Sequence, residues 1–330
     1  LPHCNPVMHR RSLIPFLSIF AIIVFLISGC SSMVARFMAK SIEQVGRPVA
    51  PAPKRIEHPV LLDVDLAVLW VGHATVLVQI HDKVFLTDPL FTNTVGMVMK
   101  RTIQPGLDPA SIPRVDFTLI SHTHFDHFSF GSLDLIPKEG KLLLPLGALV
   151  YTPALGFEEI REMKPWEVLE QDGVTITAVP VQHFSGRYGF DILWMRDRGY
   201  SGYIIEYQGM TVFFGGDTGY HPDLFKDIGR KFEIDLAILP IGPVEPRDFM
   251  QQNHVDPAEA LQIFRDLRAR QLLPMHHRTL IQGFDPSPTF ALEQLLSLAE
   301  RDTLLDRIIP LDIGEQWIFS DRRPRGITPP

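Results

Sequence analysis

His122, His124, Asp126 and His127 stand within six residues, in the pattern H-x-H-x-D-H. Imidazole nitrogen and carboxylate oxygen are ligands of zinc and similar divalent metals, so this spacing points first to a metal site. In an extended segment His122 and His124 project to one side, while Thr123 and Phe125 turn away. When the chain then turns, Asp126 and His127 swing elsewhere, and one short loop can serve two metals. Three further donors stand alone: His183 in P-V-Q-H-F, Asp217 in G-G-D-T-G-Y and His276 in P-M-H-H. An aspartate in a glycine-rich turn is usually only a turn former, so Asp217 acquires meaning only beside the others.

The elements that must position these residues read as follows. Residues 115–120 (V-D-F-T-L-I) form a buried strand, and 128–136 a turn and short helix, so the cluster sits at a strand's carboxyl end, where α/β proteins place their chemistry. Residues 66–72, 74–80 and 84–87 read as an antiparallel meander that opens a sandwich. Further strands are expected at 142–146, 167–169, 174–179, 202–207, 211–214, 234–240 and 272–275, with a helix near 147–155. His183, Asp217 and His276 each follow a strand end. Residues 256–270 carry a helix signature, with Asp256 as cap, Pro257 in the first turn and Ala260, Leu261, Phe264 and Leu267 on one face. A last helix falls at 286–302 and closing strands at 308–319.

The 330 residues are 45% hydrophobic and 21% charged, an ordinary globular composition, with a formal charge of −7. No basic run follows the first dozen residues, which argues against nucleic-acid binding. Two cysteines, Cys4 and Cys30, exclude a disulfide framework. No internal repeat or composition break divides the body.

Residues 1–29 read as a leader. Arg10 and Arg11 precede an apolar run at 13–27, which ends in I-S-G-C-S-S. The L-I-S-G-C stretch resembles a bacterial lipoprotein lipobox. That resemblance implies cleavage before Cys30, lipidation of Cys30 and residence in the bacterial cell envelope, on the outer membrane facing the periplasm. The alternative is an uncleaved anchor, although about 15 to 17 apolar residues fall short of the roughly 20 a span needs. Residues 1–7 precede Met8, which looks like a natural start. Residues 30–59 read as a tether, 60–320 as the globular domain and 321–330 as a loose tail.

The full set His122, His124, Asp126, His127, His183, Asp217 and His276, in this order, resembles the metallo-β-lactamase-fold hydrolases. Further stretches resemble their N-acyl-phosphatidylethanolamine phospholipase D-like branch: W-V-G-H-A-T at 70–75, D-P-L-F at 88–91, P-V-Q-H-F at 180–184 with Arg187, G-D-T-G-Y at 216–220, P-I-G-P-V-E-P-R at 240–247 and H-V-D-P-A-E-A at 254–260. The resemblance implies an α/β fold, an αββα four-layer sandwich, with two Zn2+ between the sheet ends. His122, His124 and His183 would hold one zinc, Asp126, His127 and His276 the other, and Asp217 would bridge them. Two departures stand out. Phe184 replaces a tryptophan the family often carries, and His277-Arg278-Thr279 replaces W-G-T, which leaves His276 and His277 both eligible as the last ligand. His276 is preferred because it directly follows the strand.

Two zincs about 3.5–4 Å apart would share a water of lowered pKa, and the resulting hydroxide would attack a polarised electrophile. The resemblance points to phospholipase D-type cleavage of N-acylphosphatidylethanolamine-like lipids. Because the same nucleophile attacks carbonyls, a lactonase or carboxylic ester hydrolase is the alternative; a non-catalytic envelope lipoprotein is the third reading. Asp126 would double as proton acceptor. His254 is expected to contact the phosphate or assist the leaving group, with Gln252 beside it. Arg187 and Arg247 would pair a phosphate or brace carboxylates. His73 reads as a buried structural histidine in preference to a ligand, and Asp88 as a group that positions ligands. The apolar stretch 90–107 is either ordinary loop packing or a greasy lip that meets membrane or an acyl chain.

Overall fold

The computed structural model describes residues 36–319, apart from 37, 38, 41, 42, 97, 98 and 196. The leader, Cys4, Cys30 and the tail from residue 321 lie outside the described residues.

Two sheets form the body. The first is built from β1 (Leu66–Gly72), β2 (Thr75–Ile80), β3 (Lys83–Thr87), β6 (Phe117–Leu119), β7 (Lys141–Pro145), β8 (Glu159–Met163) and β15 (Gln316–Ile318), in the order β15-β1-β2-β3-β6-β7-β8. The second is built from β9 (Val168–Gln171), β10 (Val174–Val179), β11 (Gly202–Tyr207), β12 (Met210–Phe214), β13 (Leu236–Pro240) and β14 (Gln271–Met275), in the order β14-β13-β12-β11-β10-β9. A small hairpin, β4 (Thr94–Val95) and β5 (Met99–Lys100), stands apart. The helices are α1 (Phe130–Leu133), α2 (Ile192–Met195), α3 (Pro222–Lys231), α4 (Arg247–Met250), α5 (Pro257–Asp266) and α6 (Phe290–Arg301).

Alternation along the strands explains the layers, since successive side chains point to opposite faces. Val68 and Trp70 of β1 meet Ile176, Tyr203, Ile205, Val212 and Phe214 in the core between the sheets. Leu69 and Val71, one residue out of phase, face the other way, toward Phe128 and Leu133 on the outer side. Ile204, Phe213 and Ala237 face outward from the second sheet, onto Phe225 of α3, Leu261 and Phe264 of α5 and Leu295 of α6. Sheets buried on both faces read as near-continuous apolar runs, which is why these strands were visible in the sequence. Burying each large apolar side chain contributes about 1.5–3 kcal/mol.

Strand direction decides where the loops gather. β1 and β2 pair antiparallel, as do β2 and β3, and β3, β6 and β7 pair parallel. β1, β3, β6 and β7 therefore all run one way. In the second sheet the same reasoning applies to β10, β12, β13 and β14. Each of the donors expected from the sequence follows the carboxyl end of one of these strands, at one end of the sandwich.

The structure departs from the expected elements in several places. Residues 50–56 are not a free tether: Ala50 bridges Ile103, Ile56 bridges Leu107, and Lys54 N–H donates to Ile313 O at 3.2 Å. Their prolines keep them extended, and the donors that remain pair with the body. The helix begun by Asp256 ends at Asp266, short of 270, where Arg268 takes a φ of 53°. A 3-10 turn at Ala148–Tyr151 replaces the helix expected near 147–155. The stretch 90–107 is largely ordinary packing, because Leu90, Phe91, Val95 and Leu107 are buried, whereas Met97 and Val98 are not described. No helix among the described residues is long and apolar enough to cross a membrane.

Candidate metal centre

The cluster Ser121–His127 follows β6; three of its neighbours in space follow strands of the second sheet, and a fourth precedes a helix. His183 follows β10, Asp217 follows β12, His254 precedes α5 and His276 follows β14. His122, His124 and His183 place ligand atoms within 4.8 Å of one another, as do His73, Asp126, His127 and His276, and His183, Asp217 and His254. Asp217 Oδ2 lies 3.2 Å from His127 Nε2, 3.1 Å from His276 Nε2 and 3.9 Å from His122 Nε2. It stands between the two groups of donors.

Four imidazoles are anchored through Nδ1, which turns Nε2 inward. His127 Nδ1 meets Asp88 Oδ2 at 2.6 Å, and His183 Nδ1 meets Asn253 O at 2.9 Å. His276 Nδ1 meets Gly242 O at 3.0 Å, and His122 Nδ1 meets Ser121 Oγ at 2.9 Å. Oxygen partners on one ring nitrogen fix the tautomer that leaves the other free to ligate. Ser121 Oγ donates to Asp88 Oδ2 at 2.5 Å and Ser121 N–H donates to Asp88 Oδ1 at 2.7 Å. Asp88 therefore orients two histidines, one directly and one through Ser121, as its expected positioning role requires.

Backbone shape brings the two sheets' loops together. Gly216 has a φ of 56°, and a Cβ on it would fall 2.3 Å from Ser121 Cβ. Glycine alone takes that conformation at no steric cost, and here it also allows Asp217 to approach the donor loop. Ser201 N–H donates to Ser121 O at 2.8 Å, and Tyr203 Oη donates to Ile120 O at 2.9 Å, linking the sheets beside the site.

The charges fit a divalent cation. Burial by itself would lower the pKa of His127, yet Asp217, Asp126 and Asp88 hold it well above its ordinary value. Burial by itself would raise Asp126 and Asp217; the charge on His127 leads the effects that keep both well below the usual carboxylate range. Burial, then the neighbouring His127, pushes His122 far down, and burial does the same to His183. Neutral imidazoles thus face carboxylates that outnumber the one favoured cation. His183 Nε2 and Asp217 Oδ1 are buried with no hydrogen-bond partner. Converging lone pairs, orphaned acceptors and an excess of negative charge are the donor set that a cation satisfies.

His73 and Gln282 complete the surroundings. His73 Nε2 lies 2.9 Å from Asp126 Oδ2, and Gln282 Nε2 donates to the same oxygen at 2.5 Å. Burial, followed by the neighbouring His276, lowers the pKa of His73 to about 3. Sequence reasoning missed Gln282, whose polar side chain lies in an irregular loop with no motif. His277 turns away from the donors and stacks on Trp70 at 4.6 Å, so the structure favours His276 as the donor of this pair.

The expected substrate residues divide. His254 Nδ1 is buried without a hydrogen-bond partner, 3.6 Å from Asp217 Oδ2, while its side chain as a whole keeps 16% exposure. Gln252 is exposed, and its carbonyl accepts from Gln182 Nε2 at 2.9 Å. Arg187 is buried behind the donor loop, and of its two expected roles its contacts match bracing, with carbonyls in place of carboxylates. Its Nη1 donates to Thr123 O at 2.9 Å and Phe128 O at 2.8 Å, and its guanidinium lies over the Phe125 and Phe130 rings. It braces carbonyls of the ligand loop. Arg247 likewise holds His254 O at 2.8 Å and Glu259 Oε2 at 2.5 Å.

A family model described as the beta-lactamase superfamily domain matches residues 83–277. The chain belongs to the metallo-β-lactamase superfamily and is a metal-dependent hydrolase of that fold. Within it, the chain is 33% identical over 273 residues to the N-acyl-phosphatidylethanolamine-hydrolyzing phospholipase D 1 of Caenorhabditis elegans, which covers 77% of this chain and 76% of that protein. It is 31% identical over 271 residues to the mitochondrial N-acyl-phosphatidylethanolamine-hydrolyzing phospholipase D of Saccharomyces cerevisiae, covering 76% of this chain and 55% of that one. Among solved structures, an isothiocyanate hydrolase from Delia radicum gut bacteria superposes with a TM-score of 0.62 at 18% identity, over 77% of this chain and all of that chain. The last likeness concerns the fold alone.

Proposed function

We propose that this chain is a binuclear zinc phosphodiesterase of phospholipase D type, acting on N-acylphosphatidylethanolamine-like lipids. The observation that carries the reading is the 33% identity with the nematode phospholipase D, on a body whose donor residues converge. His122, His124 and His183 would hold one ion, Asp126, His127 and His276 the second, with Asp217 between them. Bound there, the ions would polarise the phosphoryl oxygens and lower the pKa of a water toward neutrality.

The chain's own groups do the rest. His73 and Gln282 both reach Asp126 Oδ2, the oxygen that also lies 3.4 Å from His127 Nε2 and 3.9 Å from His276 Nε2, and so fix the carboxylate's rotation beside these donors. Asp126 takes the proton that the attacking water loses. Burial leads the effects that lower the pKa of His254 to about 4, so it is neutral at pH 7. A neutral imidazole beside Asp217 donates one hydrogen bond, to a phosphoryl oxygen or to the departing alkoxide. We further propose that the chain is lipidated at Cys30 and held at the bacterial envelope, with the site near its substrate.

The test is turnover by the zinc-loaded full chain of N-acylphosphatidylethanolamine in vesicles, beside a lactone panel and His122→Ala. Release of N-acylethanolamine that falls more than about 100-fold in His122→Ala is the expected result. Turnover of lactones with no release of N-acylethanolamine would replace the phosphodiester reading by an ester-hydrolase one.

A further inference from the structure

Beside the donor loop, four large apolar side chains stand in a row with little over them. Tyr188, Phe190, Leu193 and Trp194 are 56%, 66%, 83% and 51% exposed. They form a ladder that starts at the donor loop itself. Phe125 meets Tyr188 at 6.0 Å, Tyr188 stacks on Phe190 at 6.3 Å, and Phe190 meets Trp194 at 5.9 Å. Leu149 and Val150, on the neighbouring 3-10 turn, extend the same surface and are 50% and 74% exposed.

The ladder is held from behind. Asp191 Oδ2 accepts from Tyr151 Oη at 2.6 Å and from Arg187 N–H at 2.7 Å, and Oδ1 accepts from Tyr188 N–H at 3.0 Å. Gly199 N–H donates to Leu146 O at 2.7 Å. A buried carboxylate that ties both segments, under rings that point outward, marks a built platform. Contiguous exposed apolar surface of this kind marks an interaction site.

We propose that this face docks on a lipid bilayer and sets the mouth of the metal centre against the headgroup layer. The inference rests on the membrane-anchored reading above. Two observations select a bilayer over a second copy of the chain. First, the 35 residues before Arg36 include the apolar run at 13–27, and the described chain emerges at the donor end of the sandwich. There the Arg36 guanidinium lies 4.4 Å from the ring centroid of Phe284, eight residues beyond His276. Second, six side chains are well short of the roughly 20–30 residues per side that a stable protein interface uses. Tyrosine and tryptophan also suit the headgroup boundary, where an apolar ring and a polar tip are both satisfied.

The test uses the full zinc-loaded chain in phosphatidylcholine vesicles whose acyl chains are brominated near the headgroup. Bromine quenches tryptophan fluorescence at contact, and the expected result is strong quenching that Trp194→Phe largely removes. The pair Phe190→Asp with Leu193→Asp is expected to lower turnover of vesicle-borne lipid about tenfold or more, and to leave a soluble phosphodiester within about twofold. Quenching unchanged by Trp194→Phe overturns the proposal. So does a dimer in detergent that the double substitution dissociates. Loss of both activities in the double variant, with wild-type quenching retained, also overturns it. If wild type cleaves no phosphodiester at all, the function proposed above fails, and the quenching result still decides the docking face.

Discussion

At the scale of single residues, the site is decided by which nitrogen of each histidine is held. Asp88 does most of this holding, through His127 Nδ1 and through Ser121. Asp88→Asn removes one acceptor from a position that serves two donors, and either His127 or Ser121 loses its partner. The expected outcome is a metal affinity lower by about 10–100-fold, read by competition with a chromogenic chelator, with circular dichroism unchanged. The donors themselves were legible in the sequence because histidines and aspartates at strand ends are scarce and carry their chemistry in their side chains. Gln282 was not, because nothing about a glutamine in a loop announces that it reaches Asp126. The choice between the two roles open to Arg187 was hidden for a related reason. A phosphate and a row of carbonyls both suit a guanidinium, and only the fold says which one it meets.

At the scale of elements, the donor-bearing turns are shaped by backbone as much as by side chains. Gly216→Ala must adopt a positive φ, which disfavours any Cβ by roughly 1–2 kcal/mol, and must also displace Ser121. Urea unfolding is expected to give a loss of about 2 kcal/mol or more, together with weakened metal binding, since Asp217 and Ser121 move together. The strands 174–179 and 202–207 were read at their observed bounds because both are rich in β-branched or aromatic residues, V-T-I-T-A-V and G-Y-I-I-E-Y. β8, with the sequence E-I-R-E-M, is an edge strand whose charges hide its pairing. α3 was missed because Phe225 and Ile228 are its only buried apolar side chains amid D-L-F-K-D-I-G-R-K. The exposed ladder at 188–194 escaped notice for the opposite reason. Apolar residues usually go inside, and no sequence pattern marks those that stay out.

At the scale of the whole molecule, stability should depend on pH through histidines that the fold keeps neutral. Burial, then Arg278 and His276, lowers the pKa of His277 to about 3. In the unfolded chain the same group takes a proton below about 6.5. Between those values the unfolded state binds more protons, so stability falls as the pH drops through 6.5. His277→Phe, which can keep the stack on Trp70, should remove about 2 kcal/mol of the stability lost between pH 7 and pH 5. Urea unfolding of both proteins at the two pH values measures it, and equal losses would mean that His277 does not carry the effect.

The hydrogen bonds that join Ser201 to Ser121 and Tyr203 to Ile120 mark a seam between the two sheets, and the donors lie along it. On one side they come from a single stretch, residues 122–127; on the other they are scattered at 183, 217 and 276. During synthesis the first group leaves the ribosome early, and the last donor appears only when β14 is complete. A chain interrupted anywhere before the end of β14 therefore carries an incomplete donor set. A complete donor set requires that both halves have been made and have closed on each other.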